Sequence, residues 1–386
     1  MTDRNVARIC AGIPAINSTL LWRINFLVGD AVVLLELPQE SGTRSTLILR
    51  DIEMARARHA ARVDQVGCPA DFTPEGGLSG DRETATAQAT AECLRREGIS
   101  EVIADRSLPM IFAEFLNQAG IHVTCDPDMW VAQRRQKTSE EVEHLQSAQQ
   151  VTEQAIQLAC ELIGGAEARS GRVLYQNNEP LTSERVRTAV DIFLLKQGFT
   201  NPTSIIAGGP DGADCHNHGS GELLTGVPVI VDIFPRSRST LYNGDCTRTV
   251  VHGDIPDEIE TMHATVRKAK AAGTKAAAAG VTGEDVHRAT IQVIQEGGFN
   301  VGLPSDDSPD SYCAMTHGTG HGIGLDVHEP PLLDMKGPKL LAGDALTIEP
   351  GLYRRDLGGV RIEDMVVVTA AGCNNLNILT DGLEWS

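Results

Sequence analysis

Basic residues are in short supply in this chain, 33 Lys and Arg against 52 Asp and Glu, which leaves a formal charge of −19. That deficit argues against a nucleic-acid or anionic-membrane partner, because both need a basic face. Long apolar runs are missing too. The nearest to one, residues 26–37, contains Asp30 and Glu36, so no membrane-spanning helix is expected. The opening MTDRNVARIC is charged and has no apolar core, which speaks against a secretory signal. The nine cysteines are odd in number and lack CxxC spacing, a pattern that fits reduced thiols in a cytoplasmic protein. Cys215 and Cys246 fall near candidate site residues but read as small buried hydrophobes. Asn17-Ser18-Thr19 is a formal glycosylation sequon, without consequence in a chain that is not exported.

The 386 residues suffice for two well-buried cores, and 41% hydrophobic with 22% charged content describes an ordinary globular protein. The predicted class is α/β, or α+β, in two domains: 1–130, a smaller α/β domain, and 131–386, the larger one. In the first, STLLWRINFLV, DAVVLLEL and STLILRD read as strand-like runs. A helix over 83–97, a strand at EVIAD, a helix at LPMIFAEFLNQAG and a strand at IHVTCD follow, a β-α-β rhythm. Residues 126–137 read as a linker. Thr138 or Ser139 then caps a long helix running towards Gly164, with Glu140, Glu141 and Glu143 in its first turns. Helices over 183–197, 257–279 and 284–296 alternate with strands at TSIIAGG, VPVIVDIFP, TRTVVHG, ALTIEPGLY, GGVRIEDMVVV and NNLNIL. VIVDIFP and LTIEPGLY, each an acid-bearing strand running into proline, hint at a duplicated half.

The chemistry concentrates at the C-terminal end, in THGTGHGIGLDVHEPP, ALTIEPGLY and GGVRIED. His317 and His321 have i,i+4 spacing, but four glycines between 318 and 324 make a helix improbable and exclude an HExxH zinc site. Glycines at that density let backbone approach a ligand closely. The carboxylates are the stronger signal. Asp232, Asp245, Glu349 and Glu363 each lie in or beside an apolar strand, where a lone charge is costly to bury. Period-2 geometry puts Asp245 on one face with Thr247 and Thr249, and Arg361 on one face with Glu363. Taken with His321, the four acids form a hard, oxygen-rich donor set suited to two divalent ions: Mn, with Co, Zn or Fe as alternatives. Bridging carboxylates could hold such ions roughly 3.5–4 Å apart with a hydroxide between them, chemistry that hydrolyses amide or ester bonds.

The ordered set Asp232, Asp245, His321, Glu349, Glu363 resembles that of the pita-bread metallopeptidases: methionine aminopeptidase, Xaa-Pro aminopeptidase and prolidase. HGTGHGIGLDVHEPP, TIEPGLY and VRIED look most like the Xaa-Pro aminopeptidase and prolidase branch. RRQKTSEEVEHL and the smaller α/β domain, creatinase-like in this branch, are similar to it as well. The resemblance implies that Asp232 chelates one metal, that Asp245 and Glu363 bridge, and that His321 and Glu349 bind the second, with Glu349 also the base. It implies that His328 and His218 (or its rival His216) steady the developing oxyanion. His317 would line the pocket for the residue after the scissile bond, and Arg361 would fix a carboxylate ligand or the substrate. The implied activity is release of an N-terminal residue from Xaa-Pro peptides by a metal-bridging hydroxide, in a cytoplasmic homodimer. The alternatives are a prolidase restricted to dipeptides, a C–S lyase or creatinase-like enzyme on the same scaffold, and a non-catalytic interaction module. Two departures stand beside the metals: Asp232 and Asp245 lie 13 positions apart (245 − 232), and DIFPR follows the first ligand.

Overall fold

The computed structural model describes residues 6–385, so part of the charged opening read above lies outside the described residues. The chain divides into two compact units, Met1–Arg134 and Arg135–Ser386. Among the described residues, no helix is long and apolar enough to cross a membrane. All nine thiols are free.

The first unit is built on a six-stranded mixed sheet. Its spatial order is Gln65–Gly67, Thr43–Ile48, Val32–Pro38, Val6–Gly12, Glu101–Ala104 and His122–Cys125. The Val32 strand is antiparallel to the Val6 strand, which runs parallel to the Glu101 strand. Helices Arg82–Arg96 and Met110–Gln118 bury Leu94, Phe112 and Leu116 against Ile9, Val33, Leu35 and Val102. One sequence expectation fails here. STLLWRINFLV contains a helix, Ser18–Ile24, because the Asn17 side chain accepts from the Leu20 N–H and Asn25 ends the turn in the left-handed region. Leu20, Leu21 and Ile24 then face the core at helical spacing. The Asn17 amide is buried and donates to Ala11 O and Ser107 Oγ, so the sequon's asparagine is inaccessible in the folded chain. The predicted linker contains a short helix, Val131–Arg135.

The second unit begins with the helix Ser139–Gly164. Thr138 and Glu141 close a reciprocal capping box at its start. Its buried stripe of Leu145, Ala148, Thr152, Ala155, Ile156, Ala159 and Ile163 packs against the strands Pro228–Ile233 and Cys246–Val251. Small residues on that stripe let the sheet come close. At Gly244, a Cβ would lie 2.1 Å from Thr152 Oγ1, so the chain entering Asp245 can pass the helix only as glycine. A second helical pair, Asp257–Ala276 and Gly283–Glu296, covers the strands that follow.

Two sheets carry the candidate site. In the first, Ile205–Gly208, Pro228–Ile233 and Cys246–Val251 run antiparallel. The second orders Glu329–Leu333, Gly320–Gly322, Ala345–Ile348, Asp364–Thr369 and Gly372–Asn375. A third sheet of four strands includes Gly351–Arg354 and Gly358–Arg361. The run NNLNIL extends the last strand only as far as Asn375. The long connection from Asp232 to Asp245 has a structural use. Arg236–Ser237 pairs with Phe199–Thr200, and Asn243 bonds Gly324 O through both its backbone N–H and its side chain.

Candidate metal centre

Strand register brings the acids together. Asp232 is the cross-strand partner of Thr247, so Asp232 and Thr247 share a face with Asp245, two residues before Thr247. Glu349 and Glu363 sit just past the ends of their strands, where backbone N–H groups tie them to neighbouring segments: Glu349 to Thr319 O, Glu363 to Thr247 O. Asp245 is clamped by Gln149 of the long helix, which donates to its carbonyl (2.6 Å) and accepts from its N–H (2.9 Å). Thr247 Oγ1 donates to Glu363 at 2.8 Å, and Thr347 Oγ1 contacts Glu349 at 3.3 Å. Ligand atoms of Asp245, His321 and Glu363 all lie within 4.8 Å of one another, and all three residues are buried.

His321 occupies the strand Gly320–Gly322. Its neighbouring glycines let strands pack closely, and Gly318 and Gly320 also line the cavity over the site. A Cβ at Gly320 would fall 2.0 Å from Thr347 O, and one at Gly322 would fall 2.3 Å from Pro330 O. The His321 Nδ1 faces Gly322 O at 3.0 Å, and a carbonyl can only accept. The proton therefore sits on Nδ1 and Nε2 presents a lone pair. That lone pair faces Glu349 Oε1 at 3.4 Å and Asp245 Oδ2 at 3.8 Å. The His328 ring packs edge-on against His321, centroids 4.3 Å apart.

A cavity of about 370 Å³ opens over this group. Its walls include all nine residues expected from the sequence, His216 as well as His218, and further Cys215, Leu332 and Asp334. Arg361 reaches Asp232 Oδ2 at 2.6 Å, Tyr353 OH at 2.9 Å and Cys215 O at 3.2 Å. Tyr353 OH in turn meets His317 Nε2 at 2.7 Å, and His317 Nδ1 donates to Gly318 O at 2.8 Å.

The electrostatics are those of an unbalanced acid cluster. Burial first, and then Glu363, Asp232 and Glu349, push the Asp245 carboxyl well above its ordinary range. Burial and the neighbouring Glu349 and Asp232 do the same to Glu363. Burial raises Glu349 as well, against the pull of His317 and Arg361. Burial lowers His317, His321 and His328, which keeps each imidazole neutral and able to ligate or donate. Burial likewise raises the thiols of Cys215 and Cys246, so both stay protonated.

Divalent cations fit this arrangement. An imidazole lone pair aimed at carboxylate oxygens is acceptor facing acceptor, which a cation between them would satisfy. Asp232 Oδ1 is buried without a hydrogen-bond partner, an orphan acceptor of the kind a ligand would fill. The hard O/N donor set points the same way.

The profile of metallopeptidase family M24 matches residues 143–370, more than half of the chain, and spans all of these side chains. The chain belongs to metallopeptidase family M24. Among the M24 relatives, the Xaa-Pro dipeptidase of Pyrococcus furiosus is 30% identical over 244 residues, spanning 62% of each protein. The chain thus covers under two thirds of that relative's length. Among solved structures, the Xaa-Pro dipeptidase from Bacillus anthracis superposes with a TM-score of 0.78 at 23% identity, covering 98% of this chain and 94% of that one. The X-Pro aminopeptidase from Thermotoga maritima gives 0.76 at 22% identity, covering 97% and 96%. At those identities the likeness is one of fold, the mixed α/β pita-bread architecture.

Several residues of the candidate site and its supports escaped the sequence. Gln149 lies in a helix whose legible signals, a cap and first-turn acids, lie at its start and say nothing of this side chain. Tyr353 and Thr347 sat inside quoted motifs without a role, because a hydroxyl's partner depends on tertiary register. Leu332 and Asp334 gave no signal at all.

Proposed function

We propose that this M24 member is a dinuclear metal-dependent aminopeptidase that releases the first residue of Xaa-Pro peptides. Asp232, Asp245, His321, Glu349 and Glu363 would hold the two ions, Mn in the first instance, with Co, Zn or Fe as alternatives. When bound, such ions supply a nucleophilic water at neutral pH and polarise the scissile carbonyl. The observation that carries the reading is one cavity lined by four carboxylates and His321, whose unprotonated nitrogen lies within 3.8 Å of Glu349 and Asp245 oxygens.

The chain's own groups divide the remaining work. Glu349, its carboxyl raised by burial, would take a proton from the attacking water and return it to the leaving nitrogen. His328 and His218, or His216 beside it, would donate N–H groups to the developing oxyanion, a contribution of about 3 kcal/mol in comparable sites. Arg361 bonds Asp232 and would fix it as a ligand, and His317, held by Tyr353, would line the pocket for the residue after the scissile bond. The first unit is read as the creatinase-like domain of this branch, and the protein as a cytoplasmic homodimer.

A prolidase restricted to dipeptides is the second reading, favoured by the likeness to the Xaa-Pro dipeptidase of Pyrococcus furiosus. The test is hydrolysis of a panel of Xaa-Pro dipeptides and longer Xaa-Pro peptides by chelator-treated protein reloaded with Mn, Co or Zn. Metal-dependent cleavage is expected. Absence of cleavage with every metal, or full activity after chelation, would remove the hydrolase assignment.

A further inference from the structure

One wall of the cavity carries a charge that the metal centre does not use. Leu332 is the cross-strand partner of His321, and Asp334 follows two residues later, immediately past the end of the strand Glu329–Leu333. Both line the cavity. Leu332 is 58% exposed although large and apolar, and the Asp334 side chain is 48% exposed. The loop carrying His317 closes onto this wall: a Cβ at Gly318 would lie 3.2 Å from Asp334 Cβ.

Among the described residues, no lysine or arginine pairs with the Asp334 carboxylate. Its Oδ1 accepts from the Met335 N–H at 2.6 Å and lies 3.5 Å from His287 Nε2. Burial lowers His287 despite that neighbour, and its Nδ1 is engaged with Thr319 Oγ1. Arg361 is the only lysine or arginine among the described residues lining the cavity, and it is committed to Asp232, Tyr353 and Cys215 O.

A free Xaa-Pro dipeptide brings its C-terminal carboxylate within a few bonds of the scissile carbonyl, so the carboxylate must enter this cavity. There it meets an acid and no available guanidinium or ammonium. Like charges in such proximity oppose binding, and opposite ones favour it. We propose, building on the hydrolase reading above, that Asp334 is a specificity-determining residue. With Leu332 it forms a wall that takes an apolar ring followed by an uncharged or cationic group. Peptides continuing past proline are therefore the substrates, those with a lysine or arginine next best of all, and free dipeptides are disfavoured.

The experiment compares kcat/KM for alanyl-proline, alanyl-prolinamide and alanyl-prolyl-lysinamide with metal-loaded full-length protein. The amide and the lysyl peptide should exceed the free acid by about tenfold, an advantage that shrinks as added salt screens it. Asp334→Asn should bring the three within about threefold of one another, while Asp334→Glu should keep the wild-type order. A second readout needs no turnover. A cleavage-resistant alanyl-prolyl-lysinamide analogue, titrated calorimetrically into metal-free protein, should bind Asp334→Asn more weakly than wild type. Equal turnover of free acid and amide, or an unchanged ratio in Asp334→Asn, would overturn the proposal. Failure of every peptide to be cleaved would instead overturn the hydrolase reading, and the calorimetric comparison would still decide the role of Asp334.

Discussion

Glu363 and Asp364 are neighbours in sequence, both buried, yet they have opposite fates. Glu363 faces the candidate metal centre, where burial and other acids push its carboxyl well up. Asp364 faces the other way. Burial would raise it too, but Arg248 (2.8 Å) and Lys270 (2.6 Å) outweigh that and hold it below the ordinary range. Arg248 also donates to the Glu363 carbonyl, so the balanced side braces the unbalanced one. A buried acid that arrives with its own cations is part of the scaffold. One that arrives without them is held in readiness for a cation from solution.

The largest effect should come from the unbalanced side. Glu349→Ala is expected to lower kcat/KM about a thousandfold or more, about 4 kcal/mol of transition-state stabilisation. The far-UV circular dichroism should not change, since a carboxyl without a compensating cation contributes little to folding. Undiminished turnover would remove Glu349 from the chemistry.

Asp364→Asn should show the converse. Removing that charge leaves Arg248 buried without its carboxylate and Lys270 with only Asp381 at 3.5 Å, a defect that costs about 3 kcal/mol. Denaturant unfolding of the metal-free protein would measure it, and Glu363→Gln in the same assay should be neutral or stabilising. Should Glu363→Gln prove as destabilising as Asp364→Asn, the distinction between the two sides collapses.

The same contrast explains what the sequence could and could not say. Asp232, Asp245, Glu349 and Glu363 stood out because each interrupts an apolar strand, a local signal that period-2 reading detects. The long helices were legible from capping and spacing, as Thr138 with Glu141 illustrates. Asp364 carries the same local signal as Glu363, and only tertiary structure shows that Arg248 and Lys270 neutralise it. The helix at Ser18–Ile24 was hidden because its apolar residues suit a strand equally well, and Asn17 decided the matter through one cap. The glycines around His321 were legible as sites of close approach, and Gly318 and Gly320 do line the cavity, but the nearness of other strands, which sequence spacing does not encode, also demands them.

The two sides should also respond to pH with opposite sign. Asp245, Glu349 and Glu363 have raised folded values, so their contribution to metal-free stability is present below the unfolded carboxylate pKa, about 4, and is lost as pH rises through the folded values. Asp364 has a lowered folded value, so its contribution is present above about 4 and is lost as pH falls through the folded value. Thermal unfolding of metal-free protein should therefore decline at both ends. Glu363→Gln should flatten the alkaline decline, and Asp364→Asn the acid one. Metal binding must displace the protons held by the raised carboxyls, so affinity should rise with pH. Titrations in buffers of different ionisation enthalpy should then show proton release. Proton-neutral binding near pH 6 would mean that the acids are already ionised in the metal-free protein.

The smallest effect tests the seam between the two kinds of group. Arg361 donates to the Tyr353 hydroxyl, the hydroxyl donates to His317 Nε2, and His317 donates through Nδ1–H to Gly318 O. This relay fixes the His317 tautomer and holds one arm of the guanidinium whose other arm holds Asp232. Tyr353→Phe keeps the ring and removes the shared oxygen. With about 1 kcal/mol for such a bond, kcat/KM should fall about fivefold. Metal affinity should not move, because Arg361 keeps its contacts with Asp232 and Cys215 O. If calorimetry shows metal affinity falling in step with activity, the tyrosine is positioning the metal ligands through Arg361, and the boundary between wall and floor of the cavity has to be redrawn to include it.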